Sequence, residues 1–503
     1  MARQRKIKFH NLLAYGIGDL YGGGAFTLIG LYMIFFLTNT VGLSATMAGL
    51  VFGLGRVWDA ITDPIMGYIS DHTNSKYGRR RVYFLLGCIP AGLSLLPMWL
   101  VPFSKTSNSY LVFFYYLLSY MVFNTVYTVL ITPYSALNSD MTSDYKTRAL
   151  LSGFRMGFSQ IASLISGVVA PLIIKKFKDP QDGYIFMALS FGLFYSLVWI
   201  IVFWGTFERE DLEKNSPIQF NLKEILRNFF STLRNKSFRM HLGMYIFAFI
   251  SLDAINSLIF FYLTHYLKNP ELKMIATASL FGAEVLVVGI YIYISNNIGK
   301  AKTFRIGLFI AILGFLNLYF LTPENADVYM VALYFAFIGI GFSAGNVMPF
   351  AILPEVVDVD ELITSKDRAG TYAGFMTFFR KFSQGMIVLP LIGISIDLIG
   401  YNPELKLQTE QTSLGFKYLL ILIPTFVNII AILFSLQYKV TPKNHRILKN
   451  ELTRLKEGGK KEEVKIETKN ICETLTGFPY EKLYDENILH TRISKWQELK
   501  KLN

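Results

Sequence analysis

Apolar residues run in stretches of about 20 or more, separated by short polar intervals, from Leu12 to Tyr438. Each stretch is long enough to cross a hydrocarbon layer of about 30 Å as a helix. Their spacing predicts about twelve spans, over residues 12–38, 45–70, 82–102, 110–137, 148–174, 184–206, 239–267, 275–297, 303–322, 328–353, 371–399 and 413–438. The expected fold class is an all-α membrane protein.

The second span departs from the pattern. Arg56-Val-Trp-Asp59-Ala-Ile-Thr62-Asp63-Pro64 sets two carboxylates four residues apart inside an otherwise apolar run. On a helix, positions i and i+4 share a face. An acid at mid-membrane costs about 2.5–3.5 kcal/mol even on a lenient insertion scale. Two on one face call for a cation between them. Sodium prefers oxygen ligands, which carboxylates and hydroxyls supply; lithium or a proton would serve the same pair. Two plainer readings stand beside this one: Arg56 pairs with Asp59 one turn away, or Asp63-Pro64 marks a kink.

Composition agrees with a membrane protein. The 503 residues are 52% apolar and 17% charged, against about a quarter charged in soluble domains. The net charge of +13 is unevenly placed. Lys and Arg gather at Arg3, Arg5, Lys6 and Lys8, at Lys76 and Arg79 to Arg81, and at Lys146 and Arg148. They gather again between Arg209 and Arg239, at Lys300 and Lys302, and at Lys366 and Arg368. The alternate loops hold Lys105, Lys175, Lys176, Lys178, Lys268, Lys273 and Lys406. This bias predicts both termini in the cytosol, with the Lys175–Lys178 cluster against the trend. The charge then reflects topology and an anionic inner leaflet rather than nucleic-acid binding. Cys88 and Cys472 should not meet, so no disulfide is expected, and no His pair has metal-ligand spacing. His-Glu-x-x-His is absent, which argues against an enzyme, and no cofactor is expected. The N-terminus reads as an uncleaved first helix.

The chain also repeats itself. Tyr68-Ile-Ser-Asp71 and the basic stretch after it are echoed by Tyr293-Ile-Ser-Asn296 with Lys300 and Lys302, and Pro133-Tyr-Ser-Ala-Leu137 is echoed by Pro349-Phe-Ala-Ile-Leu353. A parallel duplication of a six-helix unit follows, with a binding site between the halves. The expected domains are a first bundle over 1–206, a cytoplasmic linker over 207–238, a second bundle over 239–438 and a charged cytosolic tail over 439–503. In the tail, Lys443–Lys456 carries Ile447, Leu448, Leu452 and Leu455 on one side. It is expected either to lie on the inner leaflet or to dock a partner.

Gly67-x-x-x-Asp71 with Gly78-Arg-Arg-Arg81 resembles the loop motif of the major facilitator superfamily. Tyr15-Gly-Ile-Gly-Asp19, Trp58-Asp-Ala-Ile-Thr-Asp-Pro64, the pair Arg148 and Arg155, and Pro354-Glu-Val-Val-Asp-Val-Asp360 are similar to the glycoside–pentoside–hexuronide:cation symporters. The likeness runs from about residue 10 to 440. It implies two six-helix bundles that couple a solute to sodium or a proton. It also places a cation at Asp59 and Asp63, and the solute's polar groups at Asp19 and Arg155. Thr128 matches a cation-site Thr of the melibiose permease branch, and Thr62 would add a second hydroxyl. That branch's Asp and Trp on the fourth helix are replaced by Ile131 and Ser135, so the likeness stops short of its sugar site. A basic residue of the eleventh helix near the cation site would be Lys381 or Arg380, and Lys381 is also a candidate solute contact. The remaining residues open further readings: Asp19 could cap or pair within its own helix, and Arg155 could be a surface anchor.

Tyr15, Tyr127, Tyr134 and Phe350 would suit sugar rings or acyl chains. The expected solute is a sugar or glycoside, with a lysophospholipid or other amphiphile as the alternative and a transport-free sensor or a channel behind it. Asp253 and Glu284 are expected to reach the cavity or to pair with Lys381. Asp71 with Arg79, Arg80 and Arg81 is expected to form a gating latch, weaker in the second half where Asn296 replaces the acid. The protein is expected to work as a monomer in the cell membrane.

Overall fold

The computed structural model describes residues 7–485 except 104–106, 143, 210–226, 228–229, 367 and 406. Arg3, Arg5, Lys6, Lys105, Lys406, most of the expected linker and the end of the tail lie outside the described residues. Regular structure among the described residues is helical throughout, as lipid requires of a chain that must satisfy its backbone internally.

The first half contains α1 (Phe9–Ile17), α2 (Asp19–Phe36), α3 (Ala45–His72), α4 (Arg81–Leu93), α5 (Leu96–Trp99), α6 (Ser109–Met141), α7 (Tyr145–Lys175) and α8 (Pro180–Gly205). The second contains α9 (Lys236–Phe261), α10 (Leu272–Ile298), α11 (Lys300–Asn317), α12 (Val328–Thr364), α13 (Ala369–Ser383), α14 (Leu389–Leu398) and α15 (Glu410–Gln437). Polar caps start several helices earlier than the apolar runs suggest. Asp144 accepts from Thr147 N at α7, Asp179 from Gln181 N at α8, and Asn235 from Phe238 N at α9. Conversely, α12 continues through Pro349 and Pro354 to Thr364, well past the expected 353.

Eleven helical stretches among the described residues are long and apolar enough to cross a membrane. The remaining long helix is α3, which carries Arg56, Asp59, Asp63 and Asp71. Counted with it, twelve helical stretches among the described residues can cross, so the start of α1 and the segment after the last crossing lie on one side, here called the terminal face. The helix that fails on hydropathy is the one that holds the paired acids.

Each half is a bundle. The first packs α2 on α7, α3 on α6 and α4 on α8; the second packs α10 and α11 on α12, and α9 and α11 on α15. The pairing α3–α6 thus recurs as α10–α12, and α4–α8 as α11–α15. Among the described residues, four helix pairs join the halves: α3 with α14, α3 with α13, α7 with α10, and α2 with α9. Far from the terminal face this seam is closed. Asp397 accepts from Ala45 N at 3.0 Å and Thr46 N at 2.8 Å, so the end of α14 caps the start of α3 across the halves. Tyr401 donates to Asn39 at 2.7 Å, and the Tyr32 and Phe260 rings lie 4.6 Å apart. Glycines let α3 and α14 touch: a Cβ on Gly49 would lie 2.5 Å from Leu389 O, and one on Gly393 would press on Ala45 O.

Toward the terminal face the seam opens. Gly167 of α7 lies against Phe281 and Thr277 of α10, whereas Gly153, Gly157 and Gly289 face open space. A cleft of about 410 Å³ runs along α7, lined by Leu150, Gly153, Phe154, Gly157, Phe158 and Ile161. The apolar core follows the same division. One cluster fills the first half and crosses into the second at the closed end; the other occupies the terminal end of the second half and the tail.

The tail folds back on the second half. Helix α16 (Pro442–Lys456) and α17 (Ile466–Thr476) bury Leu448, Leu452, Leu455, Cys472 and Leu475 with Leu362, Ile363 and Tyr480. His445 meets Asp358 at 2.7 Å and Lys456 meets Glu361 at 2.6 Å. The apolar side of α16, expected to face a leaflet or a partner, is therefore covered by the protein itself. Burial also pushes the Cys472 thiol up to about 12. Cys88 and Cys472 are both free.

Candidate cation and solute site

The centre of α3 faces α6 and α13. Asp59 and Asp63 lie one turn apart, and Lys381 of α13 reaches between them: its Nζ is 2.8 Å from Asp59 Oδ2 and 2.5 Å from Asp63 Oδ2. Thr128 of α6 sits on the other side, its Oγ1 2.8 Å from Asp59 Oδ1 and 3.0 Å from Asp63 Oδ1. Thr62 Oγ1 is 3.4 Å from Thr128 Oγ1, and Thr132 donates to Asp63 Oδ1 at 3.4 Å. Arg56 is close to Asp59, 3.6 Å away, but its guanidinium lies over the Phe26 ring at 3.8 Å. The neighbourhood thus holds two carboxylates, two cations and three hydroxyls. It is balanced as it stands, with one oxygen of each carboxylate on the ammonium and the other turned to the hydroxyls.

A second group lies nearer the terminal face. Arg155 of α7 donates from Nε to Asp19 Oδ1 at 3.1 Å and from Nη1 to Ser135 Oγ at 2.9 Å. Its guanidinium lies 4.9 Å over the Tyr134 ring. Tyr134 in turn stacks on Tyr15 with ring centroids 4.7 Å apart. Gly18, between α1 and α2, makes room for this: a Cβ there would fall 2.6 Å from the Tyr134 ring. Tyr15 and Tyr134 are fully buried, so they back the Arg155 guanidinium instead of lining open space as expected. Tyr127 donates to Gly22 O at 3.1 Å and meets the Phe26 ring edge-on. Phe350 is exposed in the second half, beside Tyr245 and Phe249.

The structure regroups some expected residues. Lys381 belongs with the carboxylate pair and not with Asp19 and Arg155. Its neighbour Arg380 pairs instead with Asp253 at 2.8 Å, where Gln384 also donates at 2.8 Å. Neither Asp253 nor Glu284 meets Lys381; Glu284 accepts from Asn346. Thr132, Gln384 and Asn346 had no signal in the sequence, because each owes its place to a neighbouring helix's rotation.

The loop between α3 and α4 also differs from expectation. Arg80 does pair with Asp71, but Asp140 of α6 takes a larger share. It accepts from Arg79 at 2.9 and 2.8 Å and from Arg80 at 3.2 Å. Glu208 accepts the backbone N–H groups of Arg79, Arg80 and Arg81 at 2.9, 2.9 and 3.0 Å, at the start of α4. Arg81 itself donates to Phe203 O at 2.6 Å. Gly78 is required here twice, by its φ of +100° and by Glu208 close against it. The second half is not the weaker copy that Asn296 suggested. Lys300 meets Glu355 at 2.9 Å, and Arg368 and Tyr372 both donate to Asp360.

Two bundles around a polar centre, open at one end, narrow the choice of family. The MFS/sugar transport protein model matches residues 14–442. The chain belongs to that family. A putative glycoside/cation symporter, YagG of Escherichia coli (strain K12), is 24% identical over 88% of this chain and 94% of its own. The sodium-dependent lysophosphatidylcholine symporter 1 of Mus musculus is 24% identical over 90% of each chain. Among solved structures, a bacterial homologue of the human lysosomal transporter Spinster superposes with a TM-score of 0.63. It has 15% identity and covers 87% of this chain and 100% of its own. That likeness concerns the fold alone. The protein is therefore a multi-pass membrane transporter of the major facilitator type.

Proposed function

We propose that this transporter couples the movement of a sugar or glycoside to sodium or a proton, by alternating access between its two halves. The observation that carries the reading is the Lys381 ammonium clasped between Asp59 and Asp63, with Thr128 completing the oxygen set. A site that holds an internal cation so closely is suited to an external one. Entry of sodium, or of a proton on either carboxylate, weakens the hold on Lys381. Its freed ammonium then becomes available to a solute, and the seam between α3 and α13 loosens. Coupling follows because the loaded and empty sites favour different arrangements of the halves.

Asp19 and Arg155 are the proposed solute contacts. In the present arrangement they bond to each other, and a hydroxylated or anionic group would insert between them. Tyr15 and Tyr127 support this group from behind. The Lys and Arg bias supports a cytosolic terminal face, now open, and the membrane proposed is that of the cell. Asp71, Arg79, Arg80 and Arg81 act with Asp140 and Glu208 to keep the first half rigid there. A lysophospholipid-like amphiphile is the second reading, favoured by the apolar cleft along α7. The mouse relative named for lysophosphatidylcholine adds to that reading.

The test is uptake into proteoliposomes under an imposed sodium or proton gradient, with glycosides and lysophospholipids as competing solutes. Asp59→Asn and Asp63→Asn should each abolish accumulation while leaving the protein inserted and folded, since an amide lacks the charge that attracts the ion. Accumulation surviving in both variants would remove the pair from the mechanism.

A further inference from the structure

The other membrane-embedded acids described above each have a charge or a helix N–H against them. Asp19 has Arg155; Asp59 and Asp63 have Lys381 and Arg56; Asp253 has Arg380; Asp397 has the start of α3. Glu284 on α10 has neither among the described residues. It is 1% exposed. Its Oε1 accepts from Asn346 Nδ2 of α12, and the Gln160 side chain of α7 lies close by. A bare charge buried in this way is costly in a membrane. A protonated carboxyl is not, because it is both donor and acceptor, and each of the two amides beside it is both as well. One carboxyl and two amides are too few oxygens for sodium.

Its place in the seam matters. On one side Thr277 and Phe281 close on Gly167 of α7; on the other Gly157 and Gly289 stand in open space. Glu284 lies at the boundary, bonded to Asn346 of its own half and beside Gln160 of the other. The charged groups on the packed helices are engaged or distant. Arg155 of α7 is held by Asp19 and Ser135. Lys300, Lys302 and Arg305 of α11, and Glu355, Asp358, Asp360 and Glu361 of α12, lie at the terminal ends of their helices. On α10 itself, Lys273 sits over the Phe35 ring near the far end, and Tyr291 and Tyr293 lie two turns or more away.

We propose that Glu284 is a proton-binding site in the second half, separate from the Asp59–Asp63 pair, whose exchange with water is set by the opening of the α7–α10 seam. The proposal rests on the alternating-access reading above only in requiring that the halves move.

Infrared difference spectroscopy on the purified full chain in lipid reads a protonated carboxyl directly by its C=O absorption. That absorption should be present in the wild type near neutral pH, lost in Glu284→Gln, and retained in the Asp59→Asn/Asp63→Asn double variant. Gln160→Leu should shift it without removing it, an effect that misfolding would not imitate. The pH dependence of solute exchange should change in Glu284→Gln while cation-driven uptake persists. An absorption absent from the wild type, unchanged in Glu284→Gln or unmoved by Gln160→Leu would overturn the proposal, as would an unaltered pH dependence. Failure of the carboxylate-pair reading would show differently: coupling would survive Asp59→Asn and Asp63→Asn with the Glu284 absorption intact.

Discussion

At one end of the seam between the halves, bonds cross it: Asp397 caps α3, Tyr401 holds Asn39, and Lys175 pairs with Glu271. At the other end the bonds described stay within each half. The first half ties α3, α4, α6 and the segment after α8 through Asp71, Arg79, Arg80, Asp140 and Glu208. The second ties its own helices through Lys300–Glu355 and Arg368–Asp360 and covers them with the tail. The difference separates two tasks. Networks within a half make it a rigid body, and the few bonds between halves set which face is shut. The carboxylate pair stands where the two regimes meet, on a helix that belongs to the first half and bonds to the second.

Breaking a network inside one half should cost stability, and most of it. Asp140 is nearly buried and serves two arginines. Asp140→Asn should destabilise the protein by about 3–5 kcal/mol, the usual cost of breaking a buried ion pair. Asp71 is more exposed, and Asp71→Asn should cost about 1 kcal/mol or less. Thermal unfolding of both purified variants checks this, and equal losses would erase the distinction between them.

Breaking a bond between the halves should move populations instead. Asp397→Ala removes the cap that α14 places on α3, worth about 1.5–3 kcal/mol for a charged acceptor. The ratio of the two facing states should shift by roughly 10- to 150-fold toward opening at the Asp397 end. Cysteine accessibility from the two faces measures the shift, and an unchanged ratio would mean that the cap does not hold the seam. The smallest effect belongs to the tail. The Lys456–Glu361 pair is half-exposed and worth about 0.2–1 kcal/mol. Cys472 is fully buried, and its thiol is kept neutral and slow to alkylate. Lys456→Ala should speed its labelling by no more than about fivefold.

Much of the fold was legible, because a membrane helix declares itself by apolar length alone. The expected 45–70 became Ala45–His72, and 239–267 became Lys236–Phe261 with a π turn to Tyr266. Asp59 and Asp63 stood out because their cost in lipid is high and their i, i+4 spacing is local. Their partners were harder to read. Lys381 lies 318 residues from Asp63, and only the rotation of α13 decides that Lys381 rather than Arg380 faces the pair. Asp140 and Glu208 carry no local sign of joining the arginine loop, since that role depends on how α4, α6 and the end of α8 pack. The tail misled for a physical reason: an amphipathic helix has the same pattern whether lipid, a partner or its own protein covers the apolar side.

In this mechanism Lys381 and an external cation compete for the Asp59–Asp63 pair. Calorimetric titration of sodium, and of protons, into the purified protein without solute tests it most directly. The wild type should bind one cation, Lys381→Ala should bind it more tightly, and Asp59→Asn and Asp63→Asn should not bind it. Unchanged cation binding in the two Asp variants, or weaker binding in Lys381→Ala, would rule out that competition.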